Sequence, residues 1–232
     1  MSIAGLFIRR PVATTLVMIG ILFFGFIGIF TYLPYRLAAP PWRMSADAVG
    51  AVYGVYLAGV VVSPVAGRMA ERAGPERLMA LGLAVAAAGV AATLAPDLRA
   101  VVAGLVVLVV GTFTAQAIGP SFVNVAAREA KGGAGALYVA SYYAGGTLGS
   151  WLPGLAWQRW RWPGVAAASG GAFLVGIAAA LHFALADRND YAQTKIIDFS
   201  TTSKGSRRAA LANIFRVNTA NIIAQPDANS PA

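Results

Sequence analysis

VATTLVMIGILFFGFIGIFTYL, Val12 through Leu33, runs for 22 positions without a charged residue. A helix needs about 20 mostly apolar residues to cross about 30 Å of hydrocarbon, so this stretch is long enough to span a bilayer. Five further runs have the same character: Val49–Ala66, Leu78–Leu94, Val101–Ile118, Ala134–Leu155 and Gly164–Leu185. Their apolar residues are continuous rather than alternating, which selects helix over strand. In lipid, only a helix or a closed barrel satisfies every backbone polar group, so the six runs predict six membrane helices. The first run follows Arg9 and Arg10, as a signal peptide would. It is about twice the usual signal core and no small-x-small cleavage site follows closely, so it reads as an uncleaved span.

Composition agrees. Hydrophobic residues make up 58% of the 232 positions and charged residues 12%, against about 25% charged in soluble domains. The net charge of +9 would suggest a nucleic-acid partner in a soluble protein. Here the basic residues sit between apolar runs, so the expected partner is the lipid bilayer. Cysteine is absent, which excludes disulfides and thiol chemistry. The one histidine, His182, builds no metal site alone. With no Ser–His–Asp set and no phosphate-loop lysine, the sequence predicts neither an enzyme nor a cofactor. The expected layout is an interfacial segment over 1–11, a six-helix transmembrane domain over 12–186 and a cytoplasmic, disordered tail over 187–232.

Short gaps join the runs: Pro34–Ala48, Gly67–Arg77, Ala95–Ala100, Pro120–Gly133 and Ala156–Pro163. With a cytoplasmic N-terminus, Arg9, Arg10, Arg68, Arg72, Arg77, Arg128 and Lys131 fall inside. Arg36, Arg43, Arg99, Arg159 and Arg161 fall outside. The tail adds six more basic residues to the inner side. This bias follows the positive-inside rule and predicts both termini in the cytoplasm. Trp42, Trp151, Trp157, Trp160 and Trp162 all lie near outer span ends, where an aromatic belt belongs.

The second gap reads Gly67-Arg68-Met69-Ala70-Glu71-Arg72-Ala73-Gly74-Pro75-Glu76-Arg77. It resembles the G-x-x-x-D-R-x-G-R-R/K signature of major facilitator transporters, which lies in the cytoplasmic loop after the second span of a half. Gly67, Arg72 and Gly74 match, Glu71 keeps the acid, and Pro75 and Glu76 depart from the basic pair before Arg77. Two readings stand. Either the arginines set topology alone, or Glu71, Arg72 and Arg77 act with the two glycines as a latch between helix ends. An acid near a helix N-terminus is favoured by the dipole, and glycines permit sharp turns.

A wider resemblance covers Gly25 to Leu185. Thr31-Tyr32-Leu33-Pro34-Tyr35-Arg36-Leu37 is similar to the end of the seventh span of bacterial inner-membrane efflux permeases of the same superfamily. Ser141-Tyr142-Tyr143-Ala144-Gly145-Gly146-Thr147-Leu148-Gly149 is similar to part of the eleventh span, and Ala130-Lys131-Gly132-Gly133-Ala134 to the loop before it. The resemblance implies the C-terminal six-helix half of an inner-membrane efflux carrier for small, drug-like solutes. Its implied partner is a missing N-terminal half or a second copy of the chain. Met1 to Leu16 resembles instead the N-terminus of resistance-nodulation-division efflux pumps, which places a junction of two transporter pieces near Val17–Ile27. A chimeric fragment without transport, or an assembly partner of another pump, is the competing reading.

Candidate pathway residues are polar groups in or beside the spans. Tyr32 and Arg36 share a helix face at i, i+4, and Arg36 suits an anionic group in a central cavity or an interfacial, snorkelling position. Thr112, Thr114 and Gln116 lie in the fourth span. Tyr138, Ser141, Tyr142, Tyr143 and Thr147 lie in the fifth. They suit either an amphipathic solute or hydrogen bonds between helices. Ser45 and Asp47 both suit a helix N-cap. The pairs Gly50/Gly54 and Gly145/Gly149 suit close helix packing. His182 lies near the inner end of the last span. In the tail, Arg207–Ile223 offers a weak amphipathic pattern with Leu211, Ile214, Phe215 and Ile222 beside Arg207, Arg208 and Arg216, which suits an anionic leaflet. A flexible tail is the alternative.

Overall fold

Helices carry the described chain apart from short connections at residues 39–45 and 93–97. The structure, a computed structural model, describes the backbone of residues 11–73, 75–126 and 131–223 and the side chains of 16–70, 77–119 and 135–182. The interfacial segment expected over 1–11, with its pump-like sequence, falls outside these residues apart from Pro11. So does Gly74. In chain order the elements are α1 (Pro11–Ala38), α2 (Ala46–Val52), a 3-10 turn (Tyr53–Val55), α3 (Tyr56–Ala73), α4 (Pro75–Ala92), α5 (Leu98–Ala126) and α6 (Lys131–Ile223). Arg161 interrupts α6 with φ 52° and ψ −138°.

Four stretches are long and apolar enough to cross a membrane: Leu16–Ala38, Ala46–Ala70, Leu98–Gly119 and Gly135–His182. The last has 48 residues, which would reach about 72 Å as one straight helix, over twice the hydrocarbon thickness. The break at Arg161 divides it into two crossings, before and after that residue. The shorter apolar helix Arg77–Ala92 completes the six expected runs, and the chain is a multi-pass all-α membrane bundle.

Helix ends lie beyond the apolar edges read from the sequence. α1 continues through Pro34 to Ala38 rather than stopping at Leu33. α3 continues to Ala73 and α4 begins at Pro75, so the described residues of the expected gap Gly67–Arg77 are all helical. α5 reaches Ala126, and residues 156–160 are helical. Hydropathy marks the edge of the hydrocarbon, whereas a helix can persist into the headgroup region. Ser45 caps α2, its Oγ accepting from the Ala48 N–H at 3.3 Å. Asp47 lies in the first turn.

Pro34 has a structural answer. It cannot donate to the carbonyl four residues earlier, which leaves Phe30 O without its helical partner. The hydroxyl of Tyr53, on the next helical segment, donates to Phe30 O at 2.9 Å. The same bond ties the 3-10 turn to α1.

Two helix crossings are close enough to need glycine. A Cβ on Gly145 would collide with the Gly20 carbonyl, and one on Gly149 with the Phe24 carbonyl. Farther along, Gly28 lies against Gly149 and Pro153, and Tyr32 against Gly154. The contacts advance together along both helices, so α1 and the first half of α6 run parallel. α4 and α5 cross in the opposite sense. A Cβ on Gly82 would sit 2.7 Å from Gly111 O, and one on Gly104 2.8 Å from Gly89 O. By contrast a Cβ at Gly50 or Gly54 meets nothing within 4 Å, so that expected pair packs against no described helix. α1 carries much of the core: Ile29, Leu33 and Leu37 have no exposed surface.

Residues Leu185–Ala232 form a second unit, with helical backbone through residue 223. The composition predicts disorder there. The sequence, however, carries no proline between Pro163 and Pro226 and holds the run Arg207-Arg208-Ala209-Ala210-Leu211-Ala212, all good helix formers.

Gly89→Leu is predicted to cost about 1–3 kcal/mol through overpacking, seen as a lower unfolding midpoint in detergent. Gly54→Leu, in open space, leaves the midpoint unchanged. Equal effects from the two would contradict the α4–α5 crossing. Tyr53→Phe is expected to cost about 0.6 kcal/mol, the usual worth of one bond in a membrane bundle. Tyr143→Phe, at a residue 66% exposed, serves as the neutral control.

Candidate functional site

Phe23, Phe26 and Phe30 recur at helical spacing on one face of α1, and all three are buried. That face gathers rings from three other parts of the bundle. Tyr56 of α3 lies 4.7 Å from Phe30 and 5.6 Å from Phe26. Tyr53 stacks on Tyr56 at 6.0 Å and 15°. Phe113 of α5 meets Phe26 at 6.1 Å, and Tyr142 of α6 meets Phe23 at 3.7 Å. Tyr143 continues the chain, 5.1 Å from Tyr142. The result is a continuous aromatic wall from the 3-10 turn through α1, α3 and α5 to α6, with phenylalanines behind and tyrosines at its rim. Edge and tilted ring contacts are each worth about 0.5–1.5 kcal/mol beyond area burial, so the wall also binds the helices to one another.

The polar candidates divide by position. Tyr142 and Tyr143 belong to the wall. Tyr138 lies one turn earlier on α6, against Gly119 of α5. Gln116 and Ser141 are partly buried. Thr112 and Thr114 donate to carbonyls of their own helix, Leu108 O at 2.8 Å and Val110 O at 2.7 Å. Their donor protons are therefore used within α5 rather than between helices. Thr112 is fully buried.

Tyr32 and Arg36 do not reach this wall. Tyr32 sits on the far side of α1, at about 100° per residue. Its hydroxyl donates to Ser150 O at 2.9 Å, and its ring stacks on Trp157 at 6.0 Å. Arg36 turns to the loops at the Trp-rich end, donating from Nη2 to Ala95 O at 3.0 Å. Of the signature residues, Gly67 is exposed near the end of α3 with open space around it. Glu71 and Arg72 belong to the helical backbone of α3, and their side chains lie outside the described residues, as does Gly74. Arg77 is exposed in the first turn of α4. His182 is exposed.

The reading by polar groups passed over Phe23, Phe26, Phe30, Tyr53, Tyr56 and Phe113. A signal was present: three phenylalanines at i, i+3 and i+7 in the first span, and tyrosines at i, i+3 at the start of the second. Among the described residues no group of three or more His, Cys, Asp or Glu could hold a metal ion.

Comparison with known proteins places the chain. The "Inner membrane transport protein YnfM" of Escherichia coli K12 is 36% identical over 142 residues, covering 61% of this chain and 34% of that protein. The "Uncharacterized MFS-type transporter YybF" of Bacillus subtilis is 28% identical over 152 residues, covering 65% of this chain and 38% of that protein. An "Uncharacterized transporter" of Buchnera aphidicola from Baizongia pistaciae is 29% identical over 158 residues, covering 68% and 39%. The chain thus spans well under half the length of these curated relatives. The Major Facilitator Superfamily model matches residues 15–222. On that match and this helical architecture, the chain belongs to the major facilitator superfamily.

Proposed function

We propose that this bundle is a transport module: one half of a secondary carrier that moves small, drug-like solutes outward across a bacterial inner membrane by alternating access. The observation that carries the reading is the aromatic wall, to which α1, the 3-10 turn with α3, α5 and α6 all contribute. Ring faces attract organic cations, and tyrosine hydroxyls at the rim supply hydrogen bonds, so the wall suits amphipathic solutes. Tyr143, at 66% exposure, would meet the solute directly.

A companion bundle closes the open side of this wall, and rigid-body rocking of one bundle against the other exposes it to each side in turn. The companion is an N-terminal-type half or a second copy of this chain. Apolar residues on α3 suit such a contact or lipid, with Leu57 70%, Val60 65% and Val61 73% exposed. The six apolar runs hold no acid, so a group coupling transport to protons would come from the companion. The signature segment Gly67, Glu71, Arg72, Gly74 and Arg77 would latch the inner face.

Inverted vesicles from cells expressing the chain should take up ethidium faster than vesicles lacking it. Arg72→Ala should slow that uptake severalfold at equal protein. Uptake equal to empty vesicles at every expression level would favour the reading as a membrane fragment without transport. Orientation has a separate check, because the chain contains no cysteine. In intact cells an impermeant thiol reagent should label Arg43→Cys and Arg99→Cys but not Arg68→Cys or Arg77→Cys. The reverse pattern would overturn the cytoplasmic N-terminus.

A further inference from the structure

The loops at the Trp-rich end enclose a second site, independent of the transport reading. A cavity of about 570 Å³ opens there, lined in part by Arg36, Trp42, Ala95, Trp157, Arg161 and Trp162. Its volume falls within the range of about 300–1,000 Å³ usual for small-molecule sites.

Arg36 is held as an anchor would be. Its guanidinium carbon lies 5.1 Å from the Trp42 ring centroid and 4.8 Å from that of Trp162. Nη2 donates to Ala95 O. Nε is buried and has no hydrogen-bond partner among the described residues. Trp162 is itself fixed, since Nε1 donates to both the carbonyl and the hydroxyl of Thr93 at 3.2 Å. A second cation, Arg161, lies 5.9 Å from the Trp157 ring. Among the described residues no acidic side chain lines the cavity. Two guanidiniums therefore face a largely apolar space without a carboxylate to balance them. A charge taken from water is costly until it finds a counter-charge.

The lining selects among anions. Four of its residues are prolines, Pro40, Pro41, Pro96 and Pro163, which offer no backbone N–H. A tetrahedral phosphate, which seeks several donors, is poorly served. A planar carboxylate needs only the paired N–H groups of one guanidinium, and the indole faces match a flat apolar body. We propose that this cavity binds small aromatic carboxylates, with Arg36 as the anchor and Arg161 adding to the positive field.

The test uses the full chain in lipid-free dodecyl maltoside and follows para-fluorobenzoate by fluorine NMR line broadening. Saturable broadening is expected, reversed by benzoate but not by inorganic phosphate or by added phosphatidylglycerol. Arg36→Gln should weaken binding about tenfold or more, the worth of a charge-assisted hydrogen bond. Should that variant not remain monodisperse, the decision rests on Arg161→Gly. Arg161 is exposed and has a positive φ of 52°, a conformation glycine adopts freely, so this variant keeps the fold and should bind severalfold more weakly. No saturable broadening at millimolar probe overturns the proposal, as does unchanged affinity in the deciding variant. Displacement by phosphate or phosphatidylglycerol as effective as that by benzoate also overturns it, because the site would then be one for phosphate groups.

Discussion

Backbone meets backbone where α1 passes the first half of α6. Gly145 and Gly149 leave no room for a side-chain carbon against Gly20 and Phe24. In a bilayer the apolar surface of a helix is already among apolar chains, so helices associate by dispersion and close fit rather than by escape from water. The glycines turn an ordinary crossing into an intimate one. They also fix the rotation of α1, which decides what its other faces present: phenylalanines to α3 and α5, Tyr32 to Trp157, and Arg36 to the loops. A small rotation of α1 would disturb the aromatic wall and the cavity at the Trp-rich end together.

Much of this was legible in the chain. Six hydrocarbon-length runs gave six helical crossings, and the Gly145/Gly149 pair named the residues at one tight interface. Gly50/Gly54 has the same spacing and no neighbour, because spacing records what a helix permits and not what faces it. The α4–α5 crossing went unnoticed for a related reason. Its glycines, Gly82 with Gly89 and Gly104 with Gly111, recur at seven rather than four, and their pairing emerges only when the two helices lie antiparallel. Pro34 read as a helix end because its repair, the Tyr53 hydroxyl on Phe30 O, comes from a different segment.

The candidate site was legible in part. Counting hydroxyl and amide groups found Tyr142 and Tyr143 but also Thr112 and Thr114, whose protons bond within their own helix. It missed the phenylalanine layer, which is apolar and so indistinguishable from core until Tyr53, Tyr56 and Phe113 are seen packed on it. Tyr32 and Arg36 share a face, as their spacing requires, but that face turns away from the wall. A guanidinium between two indoles, with a third indole nearby, depends on the end of α1 with the loop after it, the turn between α4 and α5, and the break in α6, which no local pattern brings together.

The packing of α1 on α6 is tested most directly by a disulfide. A Cβ on Gly146 would lie 3.6 Å from Ile27 Cγ1, within bridging reach. In the cysteine-free background, the pair Ile27→Cys and Gly146→Cys should cross-link rapidly under mild oxidation. Ile27→Cys paired with Leu57→Cys, whose side chain is 70% exposed on α3, should stay reduced. A folded, monodisperse Ile27→Cys/Gly146→Cys protein that forms no bridge, or forms one no faster than the control pair, would contradict this packing and the arrangement built on it.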